Sequence, residues 1–391
     1  MVTALLLLLA GQGPPDSLTL AQALARAQAA RAQTVVAGAL VAEARGALRT
    51  AGAIPNPTVS YNHSGAVPTN HFLVDQPLDW LIKRGPDRAA AAAGVNRARA
   101  DSAQTIAELH HSVRLAYWRA RAGLLSESLV RAQALQADTV ARIAAARLHA
   151  GDISLLEQEQ AAQEAARAHQ AASSAREASR VAAAELARAI AFEEAAPQPT
   201  DPLDTGLDRL PDTAVAVGRV PALRTATADS AAAAAQLRSA QRARVPFPSL
   251  QTGAEWGDPA QPGALAVIGF TIPFPLWQRS GGSVAEAKAR AIRLSALARE
   301  ARLDVVRQIR QARVHLEESA VRARAARDSL IPAAAVIRAR ALRAYQAGET
   351  GILPVLDALR SERDVTLSAL QDELSFQEAL ADWYALTGYS E

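Results

Sequence analysis

Few side chains in this sequence stand at a spacing that could do chemistry. His63 and His71 flank a short loop, Ser64 to Asn70, and two imidazoles across a hairpin invite a metal ion. Without a third ligand they make a poor site, and they read as polar loop residues. His110 and His111 are neighbours in a helical stretch. Neighbouring helix residues point to different sides, so they form no site. There is no cysteine, which excludes disulfides, thiolate zinc sites and thiol catalysis. No Gly-rich phosphate loop, His-carboxylate metal motif or nucleophile elbow occurs. The chain reads as non-catalytic, with no cofactor and no metal site. What remains is charge and hydrogen bonding near two turns: Gly151-Asp152-Ile153-Ser154 with Glu157, and Tyr345 with Gly348-Glu349-Thr350 and Asp357. Asp357 on its own is a carboxylate that a helix's first turn would favour.

The elements that must position these residues are long helices. Ala, Arg, Leu, Glu and Gln dominate extended tracts, which is the signature of long helix or coiled coil. Aromatics make up only 4% of the 391 residues, too few for several conventional cores. The net charge is +3, carried almost wholly by arginine, since only Lys83 and Lys288 are lysine. Acids and bases interleave, as in Arg299-Glu300-Ala301-Arg302, so the charge reads as solvated helix faces rather than a nucleic-acid surface. At the start, Ala4 to Ala10 and then Gly11-Gln12-Gly13-Pro14-Pro15 resemble a secretory signal over 1–16. That apolar run is too short to span a bilayer.

The chain says nearly the same thing twice. Pro55 to Pro246, Pro77 to Pro273 and Gly151 to Gly348 lie 191, 196 and 197 residues apart. Residues 17–195 and 221–391 are therefore two structural repeats, joined by a Pro-rich linker over 196–220. Each repeat carries a helix, a β-hairpin (57–79 and 247–274) and a long helical hairpin. Thr19 and Ser154 open helices with capping boxes closed by Gln22 and Glu157. The first helix is expected to run to about Ala53, the next from about Pro86 to His149, and Pro332 is expected to kink the helix 282–346. At 1.5 Å per residue, the helices add up to four rods of roughly 96–106 Å. In the strands, Leu250, Ala254 and Trp256 face one way and Gln251 and Glu255 the other, while Ile268, Phe270 and Ile272 share a face. Such segments match tilted outer-membrane strands, or two soluble hairpins capping a helical bundle. Four strands cannot close a barrel, and open edges cannot sit in lipid, so the first alternative requires an oligomer.

The order and doubling of these motifs resemble the TolC family of outer-membrane efflux ducts, over essentially the whole chain after Ser17. The motifs are Ile54-Pro55-Asn56-Pro57, Gln76-Pro77-Leu78-Asp79 with Lys83-Arg84-Gly85, and the turns Ala150-Gly151-Asp152-Ile153-Ser154 and Tyr345-Gln346-Ala347-Gly348-Glu349-Thr350. Within the family they look most like the CzcC-type heavy-metal branch. The resemblance implies a mainly α fold with a small β part: long antiparallel helical hairpins forming an α-barrel, plus four transmembrane strands per chain in a trimeric β-barrel. It implies an outer-membrane homotrimer with a large periplasmic portion. That trimer would serve as a passive duct for metal cations or small toxic molecules, delivered by an inner-membrane pump, of RND type, through a periplasmic adaptor. It also implies that Gly151, Asp152, Ile153, Ser154, Gly348, Glu349 and Thr350 form the adaptor-docking tip. The resemblance implies that Glu157, Tyr345 and Asp357 form the periplasmic gate, with Tyr345 bonded to Glu157, Thr350 where the family has an arginine and Pro354 where it has a second acid. Trp80, Trp256 and Trp277, at strand ends, match interfacial aromatics. A duct for type I protein secretion and a non-pore periplasmic scaffold are the alternatives.

Overall fold

The computed structural model describes residues 17–193, 198–211, 217–274 and 280–388. The expected signal segment and Trp277 lie outside the described residues. In chain order the elements are β1 (Ser17–Leu18), α1 (Leu20–Ala30), α2 (Ala32–Ala51), β2 (Thr58–His63), β3 (Asn70–Pro77), α3 (Trp80–His149) and α4 (Leu155–Ala189). There follow β4 (Gln198–Pro199), α5 (Pro221–Ala243), β5 (Ser249–Trp256), β6 (Leu265–Thr271), α6 (Gly281–Ala325), α7 (Ile331–Gln346) and α8 (Ile352–Thr387).

Local chemistry sets most helix ends. Thr19 Oγ1 accepts from Gln22 N at 3.3 Å, and Gln22 Oε1 accepts from Thr19 N at 2.9 Å. This is the reciprocal cap expected of that tetrapeptide. Two helix ends differ from expectation. The first helix does not run unbroken to Ala53: Arg31 is extended, at φ −78° and ψ 129°, and its guanidinium donates to the Arg188 carbonyl at 3.2 Å. No Gly or Pro announces this break in the sequence. Helix α3 begins at Trp80, so Pro86 lies inside it. Asp79 holds that first turn, accepting from Lys83 N at 3.0 Å and Lys83 Nζ at 2.7 Å. Ahead of Pro332 the helix widens into a π turn, Ala326–Leu330. Proline has no N–H to offer the Asp328 carbonyl and crowds it, and a wider turn relieves that clash.

The two hairpins are present, and they join. All four long strands form one antiparallel sheet in the order β2-β3-β5-β6, with β3 paired to β5 from the other half of the chain. Two compact units emerge, and neither follows one half of the sequence. One takes Met1–Ala32, Ile106–Ala216 and Arg307–Glu391; the other takes Gln33–Thr105 and Val217–Val306.

The first unit holds the packed cores. Val113, Tyr117, Trp118, Leu186 and Ile190 form one cluster, and Leu207, Leu316, Phe376 and Trp383 another. Between α3 and α4 the packing is by small residues, Ala134 and Ala137 against Ala165 and Ala168. The helices approach so closely that a Cβ on Gly123 would stand 3.2 Å from Ser179 Cα. The Pro-rich segment expected to be a linker is held fast where it is described. Tyr117 Oη accepts from Thr200 N and Asp201 N at 3.2 and 3.1 Å, and Gln377 donates to the Leu203 and Thr205 carbonyls at 2.8 Å each.

Candidate functional site

The two turns singled out by the sequence are built alike and brought together. After α3, Asp152 N donates to Arg147 O at 2.9 Å and Gly151 N to Leu148 O at 3.0 Å. After α7, Glu349 N donates to Ala344 O at 2.9 Å and Gly348 N to Tyr345 O at 3.1 Å. Both are Schellman closures, which place the C′ residue in the left-handed region. Gly151 has φ +79° and Gly348 φ +78°. Val140, Ala144, Ala161, Tyr345, Ile352, Val355 and Leu356 pack into one apolar cluster beneath both turns, with Ile153 against it. Gly151, Asp152, Ser154, Gly348 and Glu349 remain exposed, and Thr350 is half-buried.

The bond expected between Tyr345 and Glu157 is absent. Glu157 Oε2 accepts from Ser154 N at 3.2 Å, completing its own capping box, and Oε1 lies against Gly351. The Tyr345 hydroxyl is buried and has no hydrogen-bond partner among the described residues; Thr350 Oγ1 is likewise unpartnered. Arg147 takes up Tyr345 instead. Its Nη1 donates to the Tyr345 carbonyl at 3.0 Å, and its guanidinium carbon stands 4.7 Å from the ring centroid. Burial pushes the Tyr345 phenol above its ordinary value, Arg147 opposing the rise and Glu157 adding to it. Sequence reasoning missed Arg147. The signal was available in the repeat itself: superposing Gly151 on Gly348 sets Arg147 against Ala344, a position where the halves differ in charge.

Asp357 lies beyond the first turn of α8, which starts at Ile352, so the helix N-terminus does not explain it. Its side chain is 75% exposed, with Arg360 Nη1 at 3.7 Å. That arginine is committed elsewhere. Its Nε and Nη2 donate to Glu164 Oε2 at 2.9 and 2.6 Å, across from α8 to α4. Glu164 is buried, and Arg363 Nη1 lies 3.7 Å from its other oxygen. This carboxylate, too, went unnoticed in the sequence, because nothing along the chain marks one glutamate of an acid-rich helix as the buried one.

The sheet sorts its residues by polarity. Residues paired directly across strands share a face. Val59, Val74, Thr252 and Ile268 form one such row, and Tyr61, Phe72, Ala254 and Ala266 the next. Leu250 with Phe270, and Trp256 at the end of β5, belong to the same face. The other face carries Ser60, Asn62, His71, Asp75, Gln251, Glu255 and Thr271, with Leu73 and Val267 among them. It is the apolar face that lies open: Ile268 is 75% exposed, Phe270 66% and Val59 60%. Trp256 stacks on Tyr61, ring centroids 6.2 Å apart. Trp80 stands at the start of α3, half-buried, its indole nitrogen without a hydrogen-bond partner among the described residues.

The histidines disperse. His63 pairs with Asn70 at 3.1 Å on one sheet face, while His71 meets Glu255 at 3.0 Å on the other. His111 reaches Asp382 at 2.6 Å, whereas His110 Nε2 is buried with no hydrogen-bond partner among the described residues and the ring's pKa is lowered, by burial first and by Arg114 second. Among the described residues no three His, Asp or Glu side chains could hold one metal ion. Nor is any helix among them long and apolar enough to cross a membrane.

Residues 214–389 match the family model described as outer membrane efflux protein. No curated protein matches the chain in sequence. Among solved structures the chain is similar to CusC, whose crystal structures concern folding and transmembrane channel formation, with 16% identity over 95% of this chain and 92% of that one and a TM-score of 0.79. It is similar to the CmeC outer membrane channel of Campylobacter jejuni, with 14% identity over 94% and 85% of the two chains and a TM-score of 0.75. It is also similar to the open state of the MtrE outer membrane channel of Neisseria gonorrhoeae, with 20% identity over 94% and 88% and a TM-score of 0.69. At these identities the likeness is one of fold: long helices with a small four-stranded sheet, shared with these channels over nearly the whole chain.

Proposed function

We propose that the chain is one protomer of a trimeric outer-membrane efflux duct. The observation that carries this reading is the sheet with an uncovered apolar face and a polar face behind it. In water, a contiguous apolar surface of this kind calls for a partner; in lipid it is the ordinary outer wall of a barrel. At about 3.3 Å per residue and a tilt of about 40°, an eight-residue strand rises about 20 Å, most of the height of a barrel's apolar band. Among the described residues the outer strands of the sheet, β2 and β6, each have one edge without a partner strand. A lone four-stranded sheet would leave unpaired amides in hydrocarbon; three copies closing edge to edge make a twelve-stranded barrel with its polar face inward. A soluble scaffold accounts for the long helices but not for this sheet. The family match over 214–389 and the shared channel fold support the same reading.

The duct performs no chemistry. An inner-membrane pump of RND type delivers metal cations or small toxic molecules through a periplasmic adaptor, which docks on the exposed turns at Gly151–Ser154 and Gly348–Thr350. Closure rests on the cluster beneath those turns, with Tyr345 held by Arg147 and Glu157 completing the α4 cap. Asp357, exposed and acidic, forms a three-fold ring that favours cations. Trp256 and Trp80 anchor the barrel at the membrane interface. The test is conductance of the purified protein in planar bilayers, with light scattering in mild detergent. Cation-preferring channels and a trimer are expected. A monodisperse, non-conducting monomer with intact strands would overturn the proposal.

A further inference from the structure

We infer that Glu164 is a positioning residue for ion selectivity: it takes the hydrogen bonds of the Arg360 guanidinium and so leaves Asp357 only a long ion-pair contact. This rests on the duct reading, in which Asp357 supplies the selecting charge. Helix α8 sets Asp357 and Arg360 three residues apart, where side chains of opposite charge meet on one surface. Left to themselves, they would pair and cancel. The geometry leaves them a long ion pair without a hydrogen bond, with 3.7 Å between Arg360 Nη1 and Asp357 Oδ1, while two other nitrogens of the same guanidinium bond Glu164 Oε2 at 2.9 and 2.6 Å.

The choice follows from burial. Glu164 is 4% exposed, and a carboxylate removed from water needs a hydrogen-bonded cation. Two charge-assisted bonds in that setting outweigh a contact at the solvent-exposed Asp357, where screening leaves an ion pair worth little. The raised pKa of Arg360 has the same origin, with its bonds to Glu164 first among the causes. Arg363 adds a second charge beside Glu164 but is itself paired with Asp364 at 3.1 Å. With Glu164 uncharged, the nearest carboxylate to Arg360 is Asp357 on its own helix. The two then pair, and the acid is neutralised without being mutated.

The experiment compares the wild-type protein with Asp357→Asn, Glu164→Gln and Glu164→Gln/Arg360→Gln in planar bilayers. The reading is the reversal potential under a potassium chloride gradient. In water, one charge about 6 Å from a monovalent ion changes its local concentration about threefold. The cation is enriched and the anion depleted by that factor, so Glu164→Gln is expected to lower the cation-to-anion permeability ratio by about tenfold per charge cancelled, matching Asp357→Asn. The double variant is expected to restore the wild-type ratio, because no guanidinium remains to cancel Asp357. A wild-type ratio in Glu164→Gln overturns the inference, even if conductance rises, since Glu164 is then only a strut between α4 and α8. A loss that the double variant fails to restore also overturns it. If Asp357→Asn itself leaves the ratio unchanged, the duct reading of Asp357 falls, and this inference with it.

Discussion

Arg147→Ala should open the tip. The substitution removes two ties between the end of α3 and the end of α7: the 3.0 Å bond from Nη1 to the Tyr345 carbonyl and the 4.7 Å stack over the ring. A hydrogen bond from a charged donor contributes about 1.5–3 kcal/mol, and a cation–π contact at a half-exposed place about 0.5–1 kcal/mol. Solvent reaches Arg147, so the lower ends apply, about 2 kcal/mol per chain. At 1.4 kcal/mol per factor of ten, one latch shifts a closed-to-open equilibrium about thirtyfold, and three latches releasing together about four orders of magnitude. Tyr345→Phe is the counterpart. The hydroxyl it removes is buried and unpartnered, so both Arg147 ties survive and channel opening should match wild type. Single-channel recording in planar bilayers reads both variants directly. If Tyr345→Phe opens the channel as far as Arg147→Ala does, a hydroxyl bond to Glu157 is the latch after all.

Three further outcomes follow from the packing. Tyr117→Phe leaves the Asp201 N–H without its 3.1 Å acceptor and should lower stability by about 1–3 kcal/mol in denaturant titrations. Burial above all raises the Tyr117 pKa from 10.0 to about 12, so its contribution is whole below pH 10 and lost as pH rises towards 12, by about 1.4 kcal/mol per pH unit; the Phe variant should lack that alkaline slope between pH 10 and 12. On the sheet, Ile268→Arg should cost about 2–4 kcal/mol near a bilayer midplane and block insertion into vesicles, whereas Gln251→Arg, on the polar face, should insert as wild type; equal insertion of both would refute the facing. Finally, Gly348→Ala forces a Cβ into φ +78° and should destabilise by about 1–2 kcal/mol, while Gly38→Ala, inside α2 with nothing within 4 Å of the added methyl, should stabilise by about 0.5–1 kcal/mol. Thermal unfolding separates the two by sign.

Much of the fold is legible along the chain, because the rules that set it act over a few residues. Thr19 and Ser154 cap helices because a glutamine or glutamate follows at the third helical position. Gly151 and Gly348 close helices because each carries a left-handed residue that glycine adopts without strain. The alternation of Leu250, Ala254 and Trp256 with Gln251 and Glu255 sorts the sheet's faces, since the strand period is two.

What only the tertiary structure decided is which distant groups meet. The sequence places Tyr345 and Glu157 near two matching turns, yet the carboxylate is consumed by its own cap and Arg147 arrives from a neighbouring helix. The helix breaks at Arg31, whose guanidinium meets the distant Arg188 carbonyl. Strand β3 takes β5 as its partner, although β5 begins well over a hundred residues later. Glu164, one acid among many on α4, becomes the buried one. A cap or a turn is chosen among neighbours already held close by covalent bonds. A long-range pair is chosen by which side chain, after the backbones have packed, can reach a partner that water no longer serves.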